Sequence, residues 1–332
     1  MKVSILVPVY NASPFIERCV CSLFNQTYAD IEFIFIDDCS RDDSIKKLEN
    51  IISQYPQRQH SISIHKNKKN CGIAHVRNQL LSLASGDYIY FVDSDDYISS
   101  DAISTFVKIA KKWQADIIRS RYYEERLIEN DKSLNQSTTI CRKIISNNSW
   151  TDKKSLLADT VRGSHTVDAV WKLFIRHSLL TEYNLSFTEG INVCEDYIMS
   201  VKLFYYANHI VDIAEAPYYY CTTSNLHSMT KNTPAIIADR DKALDEVVAF
   251  LKSKGIYEIL LDSVNQRILL CKQGYLLNKQ HFDINRYQAF HPESNRAWRL
   301  LKYGRREQLL FWLAEHKLNG LLRFINFIRS SF

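Results

Sequence analysis

The chain opens with seven residues, Val3 to Val9, in which apolar side chains dominate without alternation. A short apolar run bounded by turn residues reads as a strand buried on both faces. Asn11-Ala12-Ser13-Pro14 reads as a turn, with Ser13 placed to cap a helix and Pro14 at its first position. Phe15, Ile16, Cys19, Val20, Leu23 and Phe24 then recur at helical spacing and form one apolar face. The alternation continues with strands over 31–36, 61–65, 88–92 and 115–119, and helices over 42–55, 72–84 and 101–113. Strands alternating with helices predict an α/β fold, a mostly parallel sheet with helices on both faces. Ligands of such sheets sit beyond the carboxyl ends of the strands. Two acidic groups, Asp37-Asp38 and Asp93-Ser94-Asp95-Asp96, fall there.

Residues 121–150 are polar and poorly periodic, read as a hairpin or loop region, and from about 234 onward the pattern is helical. This sets a boundary near residue 230, with a domain over 1–230 and a helical region over 231–332. Length and composition fit a globular chain, with 332 residues, 46% hydrophobic and 24% charged. With 8 Gly and 6 Pro, collagen-like and low-complexity classes are excluded. Eight cysteines without a Cys-x-x-Cys pair form no metal or disulfide framework. The N-terminus lacks the apolar centre of a signal peptide, and no apolar run is long enough to span a bilayer. The expected location is cytoplasmic, with reduced thiols.

The net charge of +5 is unevenly placed: residues 231–332 carry 17 Lys/Arg against 10 Asp/Glu. Such mild basicity gives no reason to expect a nucleic-acid partner. Near the C-terminus, Leu318, Leu321, Leu322, Phe324, Ile325, Phe327 and Ile328 repeat at helical spacing, with Arg323 and Arg329 between them. Arg296, Arg299, Lys302, Arg305 and Arg306 precede them. Two readings compete, an amphipathic helix on the anionic inner face of the cell membrane and a helix packed on its own domain or on a homodimer partner.

The acid run Asp93 to Asp96 follows the apolar strand Tyr88 to Val92, so its carboxylates are held at a strand end. Asp93 and Asp95 alternate and can face one side. Carboxylates suit a hard cation such as Mn²⁺ or Mg²⁺, which bridges phosphate oxygens. The competing reading is an acidic turn ahead of the next helix.

Five segments in order then carry a resemblance. They are Ser4 to Asn11, Ser22 to Thr27 (S-L-F-N-Q-T), Phe35 to Asp42 (F-I-D-D-C-S-R-D), Asn70 to Asn78 (N-C-G-I-A-H-V-R-N) and Gly86 to Asp96 (G-D-Y-I-Y-F-V-D-S-D-D). Together they resemble glycosyltransferase family 2, whose fold is GT-A. Cys39 stands where that family usually has Gly, and Val76 where it has Ala. Further on, Val170 to Phe174 resembles the family's W-x-K-L-F segment. Phe187 to Gly190 with Glu195-Asp196 resembles its F-x-E-G…E-D segment.

The resemblance implies an inverting, metal-dependent transfer of a sugar from a nucleotide-sugar donor, UDP-linked by default. The acceptor would be a saccharide or lipid-linked saccharide in surface-polysaccharide synthesis. It divides the first domain into a nucleotide-sugar half to about residue 120 and an acceptor half over 121–230. Pro8, Val9 and Tyr10 would line the base pocket, and Asp38 would accept the imide N–H of uracil. Arg77 would lie near the diphosphate with Asp93 and Ser94. Asp95 and Asp93 would hold the metal, and His227 is a further metal ligand in some relatives. Asp196 would act as the base on the acceptor hydroxyl, with Glu195 orienting groups beside it. Cys221 stands where many relatives have Arg, so one phosphate contact is missing or comes from elsewhere.

Plainer readings stand beside these: a turn or cap for Asp38, an exposed helix arginine for Arg77, a helix start favoured by acids for Glu195-Asp196, and an ordinary loop histidine for His227. Two other functions compete with sugar transfer. A sugar nucleotidyltransferase would need a Gly-rich basic loop, and Pro8 to Ser13 has neither Gly nor Lys. A non-catalytic saccharide-binding module would have no use for the carboxylates.

Overall fold

The computed structural model describes residues 1–128, 139–145, 152–163, 169–222, 234–278 and 281–330. The first part runs β1 (Val3–Val9), α1 (Ile16–Phe24), β2 (Ile31–Asp37), α2 (Ser44–Ile52), β3 (Ile62–Lys66), α3 (Ile73–Leu83) and β4 (Tyr88–Phe91). Next come β5 (Tyr97–Ile98), α4 (Ala102–Trp113), β6 (Ile117–Arg119), β7 (Tyr122–Ile128) and β8 (Thr139–Ile145). Then follow α5 (Lys153–Arg162), β9 (Leu173–Arg176), α6 (His177–Glu182), α7 (Glu195–Tyr206), β10 (Ile210–Asp212) and β11 (Tyr218–Cys221). The last part is helical, with α8 (Pro234–Ser253), α9 (Leu261–Lys272), α10 (Gly274–Leu277), α11 (Ile284–Ala289), α12 (Arg305–Glu315) and α13 (Asn319–Ser330).

The chain divides into two compact units, Met1–Trp150 with Thr166–Asp239, and Thr151–His165 with Arg240–Phe332. The second unit therefore takes α5 from the middle of the sequence, where α5 packs on α9. Its described residues contain helices and no strand. No described helix is long and apolar enough to cross a membrane.

In the first unit a seven-stranded sheet has the order β10-β6-β9-β4-β1-β2-β3. β1 pairs in parallel with β2 and β4, and β2 with β3. β9 lies antiparallel between β4 and β6, so the sheet is mostly parallel with one reversed strand. All seven residues of β1 are buried, as the unbroken apolar run predicts for a central strand. Phe24, Phe33, Phe35, Tyr90, Phe106 and Phe174 fill the core around it. A second, four-stranded sheet has the order β5-β11-β7-β8, and within 121–150, read as a hairpin or loop region, β7 and β8 pair antiparallel.

The predicted cap at Ser13 is not made. The helix starts at Ile16, and Ser13 gives its N–H to the Asp42 carboxylate at 2.9 Å. The Ala12 carbonyl accepts from Phe15 and Ile16, while the Ala12 N–H donates to Ser44 Oγ at 2.8 Å. Contacts to the following βα unit fix this turn and override the local capping preference.

Candidate active site

Because β1, β2 and β4 are parallel and in register, their carboxyl ends lie along one edge of the sheet. β1 delivers Tyr10, which is 47% exposed, with Asn11 behind it in a left-handed conformation (φ 49°). Pro8 and Val9 are buried within the strand, and the Val9 carbonyl accepts the Asp38 N–H at 2.9 Å. Of the three residues read as a base pocket, Tyr10 alone presents a side chain to solvent; Val9 belongs to the core.

Asp38 is buried and already engaged. Its Oδ1 accepts from Asn67 Nδ2 at 2.8 Å, and its Oδ2 from the Gly72 N–H at 2.9 Å. The Cys71 N–H lies within reach of both oxygens. The carboxylate thus sits at the N-terminus of α3, where unpaired N–H groups and the helix dipole favour negative charge. Gly72 makes this approach with φ 87°, and a Cβ there would meet Asn192 Oδ1 at 2.1 Å. Its neighbour Asp37 is also buried, accepting from the Ser40 N–H at 2.8 Å with Lys66 Nζ 3.4 Å away.

The centre of the site is Arg77, on α3, with a side chain 3% exposed. One terminal nitrogen bonds Glu195 at 2.6 Å and also Asp196, and the other bonds Asp93 at 3.1 Å. Phe91 and Phe187 lie beside the guanidinium, centroids 5.9 and 5.5 Å away. Asn78, the next residue, clamps the Phe187 backbone, donating to its carbonyl at 2.9 Å and accepting its N–H at 2.8 Å. The adjacent Arg and Asn of the A-R-N type motif therefore do two jobs, gathering acids and fixing the loop that brings them. Four residues singled out from sequence, Arg77, Asp93, Glu195 and Asp196, are brought together here from β4, α3 and α7. Arg77, expected beside a diphosphate, is the shared counterion of three carboxylates.

Burial works against the Arg77 charge, but Asp196, Asp93 and Glu195 outweigh it and hold the guanidinium protonated more firmly than usual. Burial and the neighbouring Asp196 charge push Glu195 up to about 8, although Arg77 pulls the other way. Asp196 is raised as well, by burial against the pull of Arg77 and with a contribution from Asp93. A carboxylate raised in this way has more affinity for a proton than one in water, which suits a general base.

The acid run itself splits into two kinds of residue. Asp96 is buried, accepting from Tyr218 Oη at 2.6 Å and from the Cys221 N–H at 2.8 Å, so it ties β11 to the end of β4. Burial, then Asp95 and Asp93, push its carboxyl well above the usual range. Tyr218 is held in turn by Trp171, stacked at 4.4 Å, which accounts for the W-x-K-L segment. Ser94 is buried, whereas Asp93 and Asp95 are partly exposed.

Mn²⁺ or Mg²⁺ fits this pair chemically. Both donors are hard carboxylates; burial chiefly, and then Asp96, Asp95 and Asp93, raise the nearby Cys19 thiol, so a cation would relieve part of the negative field there. Among the described residues no group of three His, Cys, Asp or Glu is arranged to hold a metal. His227 lies outside the described residues.

Sequence reasoning missed Arg18. From α1 it reaches the Asp95 carbonyl at 3.3 Å, Cys221 Sγ at 2.9 Å and the buried Glu125 carboxylate at 3.0 Å. Its guanidinium covers the Tyr97 ring at 4.6 Å. A cation therefore stands against Cys221, the position where an arginine was expected. Nothing in the helical pattern of α1 sets Arg18 apart from an ordinary solvated residue.

A mostly parallel sheet flanked by helices, with carboxylates gathered at its carboxyl edge, has the GT-A fold. The sequence model of glycosyl transferase family 2 matches residues 4–177, and the chain belongs to that family. The match ends before Glu195 and Asp196. The chain is 29% identical to the uncharacterized glycosyltransferase EpsJ of Bacillus subtilis, over 81% of this chain and 75% of that protein. It is 28% identical to a poly(ribitol-phosphate) beta-glucosyltransferase of Bacillus spizizenii, over 86% of this chain but 41% of that longer protein. The crystal structure of S. aureus TarS 1-349 in complex with UDP-GlcNAc superposes with a TM-score of 0.67 at 19% identity, covering 96% and 92% of the two chains. That likeness shows the shared fold.

Proposed function

We propose that this glycosyltransferase moves a sugar from a nucleoside diphosphate sugar, by default a UDP-sugar, to a hydroxyl of a saccharide or lipid-linked saccharide, with inversion, in surface-polysaccharide synthesis. The observation that supports the reading is the Arg77 cluster, in which one guanidinium joins the Asp196 carboxylate to Asp93 of the acid run. The names of relatives that act on poly(ribitol-phosphate), and the UDP-GlcNAc complex of a protein with the same fold, support the donor and the pathway. Cytoplasmic residence is part of the same reading.

In this scheme Asp196 takes the proton of the acceptor hydroxyl, a poor nucleophile until that proton has somewhere to go. Arg77, shared with Glu195, holds Asp196 in place, and burial, with the Asp93 charge, keeps the Asp196 carboxyl raised against the pull of Arg77. Tyr10 offers a ring face to the base. A divalent cation held by Asp93 and Asp95 would supply positive charge against the departing nucleoside diphosphate. Attack from the face opposite the leaving group in a single displacement inverts the anomeric centre, by the logic that applies to inverting glycosidases.

The test is a hydrolysis and transfer screen of the purified chain against UDP- and GDP-sugars, with and without Mn²⁺. UDP-sugar turnover that needs the ion is expected. Turnover of GDP-sugars alone, or turnover indifferent to chelation, overturns the donor or the metal assignment respectively. Asp95→Ala should abolish the Mn²⁺ enhancement of UDP binding in calorimetry, and unchanged enhancement removes Asp95 from the metal site.

A further inference from the structure

The segment Ser22 to Thr27 carries no part of the chemistry proposed for the sheet edge, yet it fastens the chain that follows the acid run. Ser22 Oγ accepts the Ile98 N–H at 3.2 Å. Gln26, buried just past the end of α1, donates to the Ser99 carbonyl at 2.6 Å and accepts the Ile103 N–H at 3.1 Å. The Thr27 N–H donates to the Ser100 carbonyl at 2.8 Å. One helical turn before Ser22, Arg18 and Cys19 extend these contacts into the acid run itself. Cys19 Sγ lies 3.7 Å from the Asp93 carbonyl, which also accepts the Asp96 N–H at 3.1 Å. Arg18 Nη2 donates to the Asp95 carbonyl at 3.3 Å. α1 and the residues just after it therefore hold the backbone of the acid run and of the residues beyond it, to Ile103.

Among these contacts Arg18 has the geometry to set a carboxylate in place. Its Nη1 is paired at 3.0 Å with Glu125, whose side chain is buried. Its Nη2 bonds Cys221 Sγ at 2.9 Å as well as the Asp95 carbonyl, and its guanidinium covers the Tyr97 ring. A planar fork held at one prong by a buried carboxylate presents the other prong in a fixed direction. Glu125 offsets the guanidinium charge, so Arg18 acts on Asp95 through position. It pins the main chain of a residue whose side chain is partly exposed. A carboxylate on a pinned backbone loses less freedom when it takes up an ion.

We propose that Arg18 is a positioning residue for the cation site: anchored by Glu125, Cys221 and Tyr97, it fixes the Asp95 main chain so that the carboxylates of the acid run meet a divalent ion already placed. Ser22 and Gln26 hold the next residues in the same way, which gives the S-L-F-N-Q-T segment a purpose. This inference rests on the reading that Asp93 and Asp95 hold the ion.

The experiment is calorimetry of UDP binding to the full chain over a range of Mn²⁺ concentrations, with Arg18→Lys and with Arg18→Met combined with Glu125→Gln. Lysine keeps a charge against Glu125, but a single ammonium cannot serve Glu125 and the Asp95 carbonyl as the fork does. Arg18→Lys is expected to weaken Mn²⁺ by roughly tenfold, with the melting temperature retained. The double variant removes both charges together, leaves no buried charge uncompensated, and should weaken the ion at least as much. In steady-state transfer, the half-saturating Mn²⁺ concentration should rise by more than the maximal rate falls. A wild-type chain whose UDP binding ignores Mn²⁺ overturns the cation reading and this inference with it. Ion-dependent binding that the double variant retains at full strength overturns the inference alone. An equal loss of UDP affinity with Mn²⁺ and with chelator assigns Arg18 to the fold and overturns it too.

Discussion

Two acidic groups stand at neighbouring strand ends of one sheet, and the structure treats them in opposite ways. At the end of β2, Asp38 is closed: three donors from 67–72 surround it, and it serves the N-terminus of α3. At the end of β4, Asp93 and Asp95 stay partly exposed, and the cation paired with Asp93, Arg77, is shared with Glu195 and Asp196. Within the same run Asp96 is closed again, by Tyr218 and Cys221. An acid at a strand end becomes structural when the fold aims backbone N–H groups at it. It stays available for chemistry when its counter-charge is another side chain and part of its surface meets water.

The largest effect expected from this contrast is at the open group. Asp196→Asn keeps the shape of the side chain but cannot take a proton, so transfer should fall by about 10²- to 10⁴-fold with donor affinity retained. A transfer rate near wild type removes Asp196 from the mechanism.

Arg77→Met leaves three carboxylates without their shared cation. A loss of about 3–5 kcal/mol of stability is expected in urea denaturation, because uncompensated buried charge remains. An unchanged midpoint would mean that water already screens the cluster.

The same cluster makes a pH prediction. Glu195 is raised from the ordinary 4.5 of a glutamate to about 8, so the folded state holds its proton more tightly than the unfolded chain does. Its contribution to stability is complete below about 4.5 and is lost as pH rises through about 8. In the presence of chelator the melting temperature should decline over that window, and Glu195→Gln should flatten the decline. A parallel decline in both proteins assigns the effect to other groups.

Asp38→Asn tests the closed group. It replaces a charged acceptor by an amide with a donor facing N–H groups, and should cost about 1.5–3 kcal/mol of stability. Weakened UDP binding with an unchanged melting temperature would show instead that this acid is open to the base.

The smallest effect is expected next door. Cys39 has φ 64°, a left-handed conformation, at a position where the family usually has Gly. Relief of that strain, less the entropy that glycine adds to the unfolded chain, should make Cys39→Gly stabilising by about 0.5–1 kcal/mol. A lower melting temperature would show that the thiol contributes more than the strain removes.

By itself the sequence determined the α/β order of the first hundred residues, the placement of the acid groups at strand ends, and the helical character after residue 234. Those features rest on local periodicity and on turns, which the chain carries in short windows. Tertiary structure alone decided the rest. The reversed strand β9 and the second sheet pair residues far apart in sequence, as when Tyr218 meets Tyr122 and Ile98. α5 left its neighbours for the C-terminal unit because its buried face, Leu156, Leu157 and Val161, packs on α9. The roles within the site depend on partners at comparable distances, such as Arg77 with Asp196 and Arg18 with Cys221. Residue type at a strand end tells which chemistry is available. Which oxygens remain free is set by donors brought from elsewhere in the fold, and no local pattern records that.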